Sequence, residues 1–305
     1  MPDINRRQLL AGTAATGALA ATASFAQSDT VETVPNLAGK SILITGCSSG
    51  FGYLGALHYA RLGAKVFASM RNLPRPEGDE LARIAAEEGL DLQVIEIDVL
   101  DAAQVSAGVS KAEAIAGGSI DVLINNAGIS FGGPIEIQDI EATRLNFDTN
   151  VFGPQRLHRA VLPAMRSAKS GLVINITSQL GRVIAPAYGQ YSPTKFALEA
   201  MSEQLAYELV SHGIDVTIIE PGGYPTRIWA NANRNSLALL ERADGTHTSG
   251  YPELVARLGQ RTGGGSTDPM DVPRAIAKVI AMPPGTRPLR IPVHPGNKPQ
   301  IPINE

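Results

Sequence analysis

The chain has 305 residues, of which 44% are hydrophobic and 18% are charged, and its formal net charge is −3. This composition fits a globular protein with a core large enough for one α/β domain, and the slightly negative charge disfavours a nucleic-acid partner. The single cysteine excludes an internal disulfide, and the five histidines are scattered without metal-ligand spacing, so we predict no metal site.

The first 26 residues predict an export signal rather than a part of the fold. Arg6 and Arg7 precede an uncharged stretch, residues 8–28, made mostly of Ala, Gly and Thr, and the small residues Ser24 and Ala26 fit a cleavage site. This pattern resembles a bacterial twin-arginine signal peptide, and it is too weakly apolar for a permanent membrane anchor. We therefore expect the twin-arginine export machinery as a partner and a periplasmic or otherwise exported protein. The alternative is an N-terminal arm on a cytoplasmic protein.

Beyond a polar linker, residues 27–36, short apolar runs alternate with segments of helical spacing along one domain, residues 37–305. Strands are predicted over residues 41–45, 65–70, 92–99, 121–124, 171–176, 215–219 and 289–293. Helices are predicted over residues 51–62, 79–88, 102–116, 141–158 and 268–280, and a further helix begins near residue 191. This alternation predicts a single-domain α/β fold of Rossmann type, in which a doubly wound parallel sheet of about seven strands carries helices on both faces.

One long segment, residues 228–267, breaks the alternation. It is rich in Asn, Gly and Arg and contains two short helical stretches, residues 236–242 and 252–258. A long irregular insertion in a compact domain is often a lid or a binding loop. We therefore expect this segment to shape the substrate site.

A glycine-rich loop joins the first strand to the first helix and has the sequence TGCSSGFG over residues 45–52. Its glycines allow a tight turn and a close approach of the backbone to a pyrophosphate, and the helix N-terminus offers unpaired N–H groups to the anion. The alternative is a plain strand–helix turn. The spacing is Gly-x-x-x-Gly-x-Gly, which differs from the common Gly-x-Gly-x-x-Gly dinucleotide fingerprint.

Tyr191 and Lys195 are four residues apart, so their side chains share one face of the predicted helix. A phenol has a pKa of about 10, and a neighbouring ammonium lowers it, so the pair can act as a general acid/base. Tyr188 lies seven residues before Lys195, on roughly the same face, and we interpret it as pocket wall. Pro193 has no backbone N–H, so it requires that the helix be in its first turn there or be kinked.

Together with further motifs, these features resemble the short-chain dehydrogenase/reductase family in its single-domain form, over roughly residues 40–293. The matching motifs are the 45–52 loop, Asp98-Val99, Asn125-Asn126-Ala127-Gly128, Asn150, Ser178 thirteen residues before Tyr191, Lys195, and Pro221-Gly222 with Thr226. The resemblance implies a nicotinamide cofactor, a small-molecule carbonyl or alcohol substrate, and a homodimer or homotetramer formed through the long helices.

The resemblance also implies a catalytic set of four residues. Tyr191 would exchange a proton with the substrate oxygen, and Lys195 would lower the pKa of Tyr191 and bond the nicotinamide ribose. Ser178 would orient and polarise the substrate oxygen. Asn150 would help to hold a water that relays protons to Lys195.

The cofactor-binding residues implied by the family are Gly46, Ser48, Ser49, Gly50, Phe51, Gly52, Arg71, Asp98, Val99, Asn126, Ala127, Gly128, Tyr191, Lys195, Pro221, Gly222 and Thr226. The Asp98 carboxylate would meet the adenine amino group; its alternative role is to cap a turn. Met70 and Arg71 stand where an acidic residue would bind the ribose of NAD, and a guanidinium suits a 2′-phosphate. We therefore predict NADP(H) over NAD(H), unless Arg71 is only a solvated surface residue.

Two aromatic residues downstream are less easily assigned. Tyr224 departs from the small aliphatic residue that is usual in the family's nicotinamide segment, and Trp229 either lines the substrate pocket or packs the 228–267 segment against the body. The function predicted from the whole pattern is an NADP(H)-dependent oxidoreductase. The alternatives are a non-catalytic NADP(H)-binding regulator or scaffold of the same fold, and a sugar-nucleotide epimerase or dehydratase, which the glycine spacing and modest length disfavour.

Overall fold

A computed structural model describes residues 34–303; the proposed signal peptide and most of the linker lie outside this range. Seven parallel strands form one sheet in the order β3-β2-β1-β4-β5-β6-β7. The strands are β1 Ser41–Ile44, β2 Lys65–Met70, β3 Leu92–Glu96, β4 Val122–Asn125, β5 Gly171–Ile176, β6 Ile214–Pro221 and β7 Arg290–Val293. The predicted fold class, a single-domain doubly wound α/β sheet of Rossmann type, is confirmed.

Helices cover both faces of the sheet. They are α1 Gly50–Arg61, α2 Pro76–Glu88, α3 Ala102–Ala116, α4 Ile140–Phe147, α5 Gly153–Ala168, α6 Tyr191–Leu209, α7 Arg227–Arg242, α8 Gly245–Thr248, α9 Pro252–Ala256 and α10 Asp271–Ala281. Alternate residues of a strand point to opposite faces. Ile42 and Ile44 therefore join one core, with side chains of α1, α2 and α10, whereas Leu43 joins the other, with side chains of α3, α5 and α6. The strand order reverses between β1 and β4, which opens a crevice at the carboxyl ends of the strands.

The helix predicted over residues 141–158 is wrong as a single helix. The chain instead forms α4, a π-helical turn at Asp148–Phe152, and α5, which continues to Ala168. A π turn holds one more residue than an α turn, and sequence periodicity does not signal it. The bulge lies where Asn150 turns inward, and its side chain bonds the backbone of a neighbouring loop.

The expectation of irregular structure from residue 228 is also wrong, because α7 begins at Arg227 and includes the predicted 236–242 stretch. Its buried positions are Ala232, Ser236 and Leu239, which follow helical spacing. Two of these three side chains are small and one is polar, so the buried stripe gives little hydrophobic signal. The predicted 252–258 stretch corresponds to α9.

Among residues 34–303, no helix is both long and apolar enough to cross a membrane. Within the same range, no three His, Cys, Asp or Glu side chains are grouped so that they could hold a metal ion. Cys47 is buried, and its thiol donates to the carbonyl oxygen of Ile44 at 3.3 Å.

Candidate active site

A cleft of about 740 Å³ lies at the carboxyl ends of the strands, between the 45–52 loop and α7. It brings together seventeen of the nineteen residues that the sequence predicts to be catalytic or cofactor-binding. These are Gly46, Ser48, Ser49, Gly50, Phe51, Arg71, Asp98, Val99, Asn126, Ala127, Gly128, Ser178, Tyr191, Lys195, Pro221, Gly222 and Thr226. The other two, Gly52 and Asn150, lie behind this lining and support it.

At Gly52 the glycine loop is packed so closely that no side chain fits. A Cβ atom on Gly52 would overlap the carbonyl of Gly46 and the Asn126 amide. The Asn126 side chain in turn donates to the carbonyl oxygen of Thr45 at 2.8 Å, which ties the end of β4 to the loop. Ser49 precedes α1 without a capping hydrogen bond from its side chain. The first N–H groups of α1 therefore remain for an anion in the cleft.

At the far end of the loop, the Arg71 guanidinium lies 3.9 Å from the Asp98 carboxylate and is half exposed. One oxygen of Asp98 accepts from the backbone N–H of Leu100 at 3.0 Å, so the capping role considered from the sequence is real. The other oxygen faces Arg71 at the cleft. Sequence reasoning missed Arg75, which lines the same end and donates to the carbonyl oxygen of Arg71 at 3.4 Å; no motif marks it.

Tyr191 is the first residue of α6, and only 8% of its surface is exposed. Burial raises the pKa of the Tyr191 phenol to about 12, and the nearby Tyr188 phenol acts in the same direction. A hydrogen bond with the Ser178 side chain acts against this shift. The expected lowering of this pKa by Lys195 is not met: the net shift is upward, because loss of hydration outweighs the Ser178 hydrogen bond. The Tyr191 phenol therefore keeps its proton at neutral pH, and its raised pKa makes it a weaker acid than a hydrated phenol.

Lys195 lies one helical turn beyond Tyr191, as the spacing predicts. Its Nζ donates to the carbonyl oxygen of Ile176 at 2.9 Å and lies 5.6 Å from the centre of the Tyr191 ring. Burial lowers the pKa of Lys195 to about 8, and the Glu199 carboxylate partly opposes this change. Pro193 is in the first turn of α6, which satisfies the condition that the sequence sets for it.

Asn150 is buried under the cleft floor and acts through its neighbours. Its amide accepts from the N–H of Ile129 and donates to the Ile129 carbonyl oxygen, both at 2.9 Å. It also donates to Thr194 Oγ1 at 3.0 Å, which links the loop after β4 to α6. A Cβ atom on Gly128 would lie 3.3 Å from Asn150 Oδ1 and 3.8 Å from Lys195 Nζ. Gly128 thus leaves room beside both side chains.

The structure shows where three aromatic residues lie whose roles the sequence did not decide. Tyr188 lines the cleft, as predicted, but it precedes α6 rather than sharing a helical face with Tyr191; the two ring centres are 6.4 Å apart. Tyr224 borders the cleft, and its buried ring lies edge-on to that of Phe51, with the ring centres 5.4 Å apart. Trp229 fills both of its proposed roles, because it lines the cleft and donates to the carbonyl oxygen of Tyr224 at 2.8 Å.

The residues after β6 add three arginines to the cleft that the sequence did not single out. They are Arg227, Arg234 and Arg261. The first two lie seven residues apart on one face of α7, which is the only signal that the sequence offers for them. Arg261 lines the cleft because the chain returns to Tyr188, which is distant in sequence, and no sequence pattern marks it.

Comparison with known proteins adds to this geometry. Residues 40–237 match the family model of short chain dehydrogenases. The chain is 35% identical over 260 residues to an uncharacterized oxidoreductase of Bacillus subtilis, YusZ, which covers 85% of this chain and 90% of that protein. It is 35% identical over 262 residues to a mitochondrial D-beta-hydroxybutyrate dehydrogenase of Mus musculus, with 79% and 74% covered. A short chain dehydrogenase/reductase from Burkholderia phymatum, solved in complex with NAD, superposes with a TM-score of 0.71 at 26% identity, covering 85% and 90% of the two chains.

Proposed function

The chain belongs to the short chain dehydrogenase family, and from this membership we propose that it is an NADP(H)-dependent oxidoreductase acting on a carbonyl or secondary alcohol. The observation that carries the proposal is the meeting of Ser178, Tyr191 and Lys195 on the wall of one cleft that also holds the glycine loop. These residues come from two separate elements, the end of β5 and the start of α6. Their convergence gives the cleft a proton donor, a polar neighbour and a cation at one place.

The glycine-loop end of the cleft fits a dinucleotide. Gly46 and Gly50 have positive φ angles of 74° and 57°, so the loop turns sharply there without a side chain in the way. The uncapped N-terminus of α1 opens beside them and offers its N–H groups to a pyrophosphate. When bound, the nicotinamide would supply or take up the hydride.

The protein's own part is to hold and move one proton. Because burial keeps the pKa of Tyr191 near 12, the phenol carries its proton at neutral pH and can donate it from Oη to a carbonyl oxygen during reduction. Ser178 lies within hydrogen-bond reach of this phenol and would hold the same oxygen. Lys195 stays close to the ring, where its positive charge stabilises the phenolate left after donation. Alcohol oxidation would run these steps in reverse.

The preference for NADP(H) rests on the end of β2. Met70 ends this strand and Arg71 follows, so no carboxylate stands there to accept from a ribose 2′-hydroxyl. The Arg71 guanidinium is half exposed at the cleft and is free to turn toward a 2′-phosphate. The Burkholderia phymatum relative was solved with NAD, so the preference depends on these side chains rather than on the family.

The experiment that tests the proposal is a comparison of wild-type protein with Tyr191→Phe on a panel of ketones and aldehydes. Loss of the general acid should lower NADPH oxidation by at least about 1,000-fold, while NADPH still binds. Retained turnover in Tyr191→Phe would remove Tyr191 from the mechanism. If the wild-type protein binds NADPH and reduces nothing, the cofactor-binding regulator becomes the better assignment.

We also propose export and self-association, each supported by a separate feature. The twin-arginine pattern supports export, and the cofactor would then leave the cytoplasm folded inside the protein; the mature N-terminus and any co-purifying nicotinamide test this. Exposed apolar side chains support a dimer or tetramer: Leu145 on α4, Phe152 in the π turn, and Phe196 and Tyr207 on α6. The molar mass in solution tests this second proposal, and a monomer at micromolar concentration would contradict it.

A further inference from the structure

Five arginines line the cleft, and they divide into two groups by their partners. At the glycine-loop end, Arg71 faces Asp98 at 3.9 Å, and Arg75 and Arg227 both pair with Glu77 at 2.9 Å. The other two arginines, Arg234 and Arg261, have no carboxylate within 4.0 Å in the part of the chain that the structure describes. Two of the guanidinium groups that line the cleft thus have no carboxylate partner among the described residues.

Arg261 lies at the catalytic end of the cleft. Its guanidinium carbon sits 3.8 Å from the centre of the Tyr188 ring, and this ring lies against Tyr191 at 6.4 Å. One aromatic ring therefore separates the guanidinium from the proton-donating phenol. The arginine is neither fully exposed nor fully buried. A ligand that contacts both Tyr188 and Tyr191 therefore lies near Arg261.

The position of Arg261 is fixed by its backbone as well as by its side chain. The Asn233 amide accepts from the Arg261 N–H at 3.0 Å and donates to the Arg261 carbonyl oxygen at 2.8 Å. The guanidinium donates from Nη1 to the carbonyl oxygen of Ala187 at 2.9 Å. Its Nε and Nη2 groups have no acceptor among residues 34–303. The Arg261 guanidinium is thus held in place by Nη1, while its Nε and Nη2 groups can still donate to a ligand.

A guanidinium that is partly removed from water loses hydration, and an anion that accepts two parallel hydrogen bonds restores it best. We propose that Arg261 binds a carboxylate group of the substrate, so that the compounds reduced by this protein are oxo acids. The proposal rests on the proposed function and deepens it. Tyr191 would give its proton to the keto oxygen, while Arg261 holds the acid group at the other end of the same molecule.

The test compares acids with their neutral esters. The probes are 2-, 3-, 4- and 5-oxohexanoate and their methyl esters, with NADPH as reductant and full-length protein. We expect kcat/KM for at least one acid to exceed that of its ester by about tenfold or more, because only the acid completes a charge-assisted pair. Arg261→Met should lower kcat/KM for that acid by about 100-fold and change the ester by less than about threefold.

Arg257→Met is the matched control. Arg257 lies one turn earlier on the same segment, is exposed, and does not line the cleft, so both substrates should react as with wild-type protein. Arg261→Lys should retain part of the activity on the oxo acid, because lysine keeps the positive charge but lacks the two parallel donors of a guanidinium. Equal losses for acid and ester in Arg261→Met would show that the arginine only supports Tyr188, and esters preferred throughout the panel would overturn the proposal.

A binding measurement separates this proposal from the proposed function. Hexanoate and hexanamide have the same chain and differ in charge, and neither can be reduced. Calorimetry should show saturable binding of hexanoate to wild-type protein with NADPH, at least about tenfold weaker binding of hexanamide, and loss of hexanoate binding in Arg261→Met. Equal binding of the two probes would overturn the carboxylate site even if ketones are reduced. Hexanoate binding without any turnover would support the site and count against the oxidoreductase.

Discussion

The 45–52 glycine loop and the cap, residues 227–267, face each other across one cleft but are built by different means. Backbone contacts and one side chain fix the loop: Thr45 N–H donates to the Ile124 carbonyl oxygen at 3.0 Å, Cys47 N–H donates to that of Ser69 at 2.9 Å, and the Asn126 amide donates to that of Thr45 at 2.8 Å. Side-chain contacts fix the cap, such as the Asn233 amide on the Arg261 backbone. The loop therefore suits the constant part of a ligand, whereas the cap can change its specificity by side-chain substitution.

Adding one carbon to the glycine loop, in Gly52→Ala, should have the largest effect. In Gly52→Ala, the new Cβ would overlap the Gly46 carbonyl and the Asn126 amide, so the loop or α1 must move. We expect about 3 kcal/mol lower free energy of unfolding, as for other overpacked sites, and NADPH binding weakened by more than about 100-fold. Chemical denaturation and calorimetry measure the two effects.

Gly118→Ala is the control for this variant, because nothing lies within 4 Å of its new Cβ and its φ is not positive. It should unfold and bind NADPH like the wild-type protein. Wild-type NADPH affinity in a folded Gly52→Ala protein would show that the loop tolerates side chains, and the proposed contrast with the cap would fail.

Arg71→Ala tests whether side chains matter on the loop side as well. If Arg71 meets a 2′-phosphate, the variant should bind NADPH about 30-fold more weakly, the value of one charge-assisted contact, and bind NADH as before. Arg83→Ala is the matched control, because Arg83 is an exposed arginine that pairs with Glu80 and Glu87 and lies away from the cleft. An unchanged NADPH affinity in Arg71→Ala would show that Arg71 is only a surface residue, and NAD(H) would again be a candidate cofactor.

The same contrast explains what could be predicted from the sequence. The sheet and the glycine loop follow from local rules: buried strands are short apolar runs, and only glycine fits at position 52. The thirteen-residue step from Ser178 to Tyr191 likewise places two side chains at one strand end and one helix start. These patterns can be read within short windows of the sequence, even though the loop itself is tied to the distant Ile124 and Ser69.

The cap and the site's energetics depend on distant contacts and could not be predicted. Arg261 meets Tyr188 only because the chain returns across 73 positions, a contact that no motif encodes. The pKa of Tyr191 is set by burial, and the spacing to Lys195 says nothing about burial. The π turn at Asn150 has the same cause, because its inward side chain is satisfied by the remote Ile129 and Thr194.

Gly263→Ala adds one carbon to the cap, as Gly52→Ala does to the loop. We expect a milder effect, because the cap is held by side chains. Its new Cβ would overlap the indole of Trp229, which is a side chain that can rotate, rather than backbone. We expect Trp229 to be displaced from the cleft wall and KM for the carbonyl substrate to rise about tenfold, the scale of one lost apolar contact, with NADPH affinity unchanged.

Gly250→Ala is the control in the cap, since its new Cβ meets nothing within 4 Å. Steady-state kinetics and NADPH titration separate the two effects. A loss of NADPH affinity in Gly263→Ala as large as that in Gly52→Ala would mean that the two sides of the cleft are equally rigid.

Glu77→Gln should have the smallest effect. It removes the ion pair between Glu77 of α2, on the glycine-loop side, and Arg227 of the cap. The Glu77 carboxylate accepts from Arg75 and from Arg227, both at 2.9 Å, and these hydrogen bonds, that of Arg75 above all, hold the pKa of Glu77 down at about 2. Because a lowered carboxyl pKa means that the ionised form is favoured in the folded protein, the link is present above the ordinary carboxyl pKa and is lost as the pH falls toward 2.

At pH 7 the link is therefore complete, and Glu77→Gln should release NADPH about threefold faster, the small effect of an exposed pair. The difference should shrink at high salt, because mobile ions screen exposed charges, and it should stay constant from pH 6 to 8, where Glu77 does not titrate. Stopped-flow displacement of NADPH measures the rate, with Glu87→Gln as a control that removes a carboxylate from the same helix away from the cleft. Equal release rates at low salt would show that the cap does not hold the cofactor through this pair, and the two sides of the cleft would then act independently.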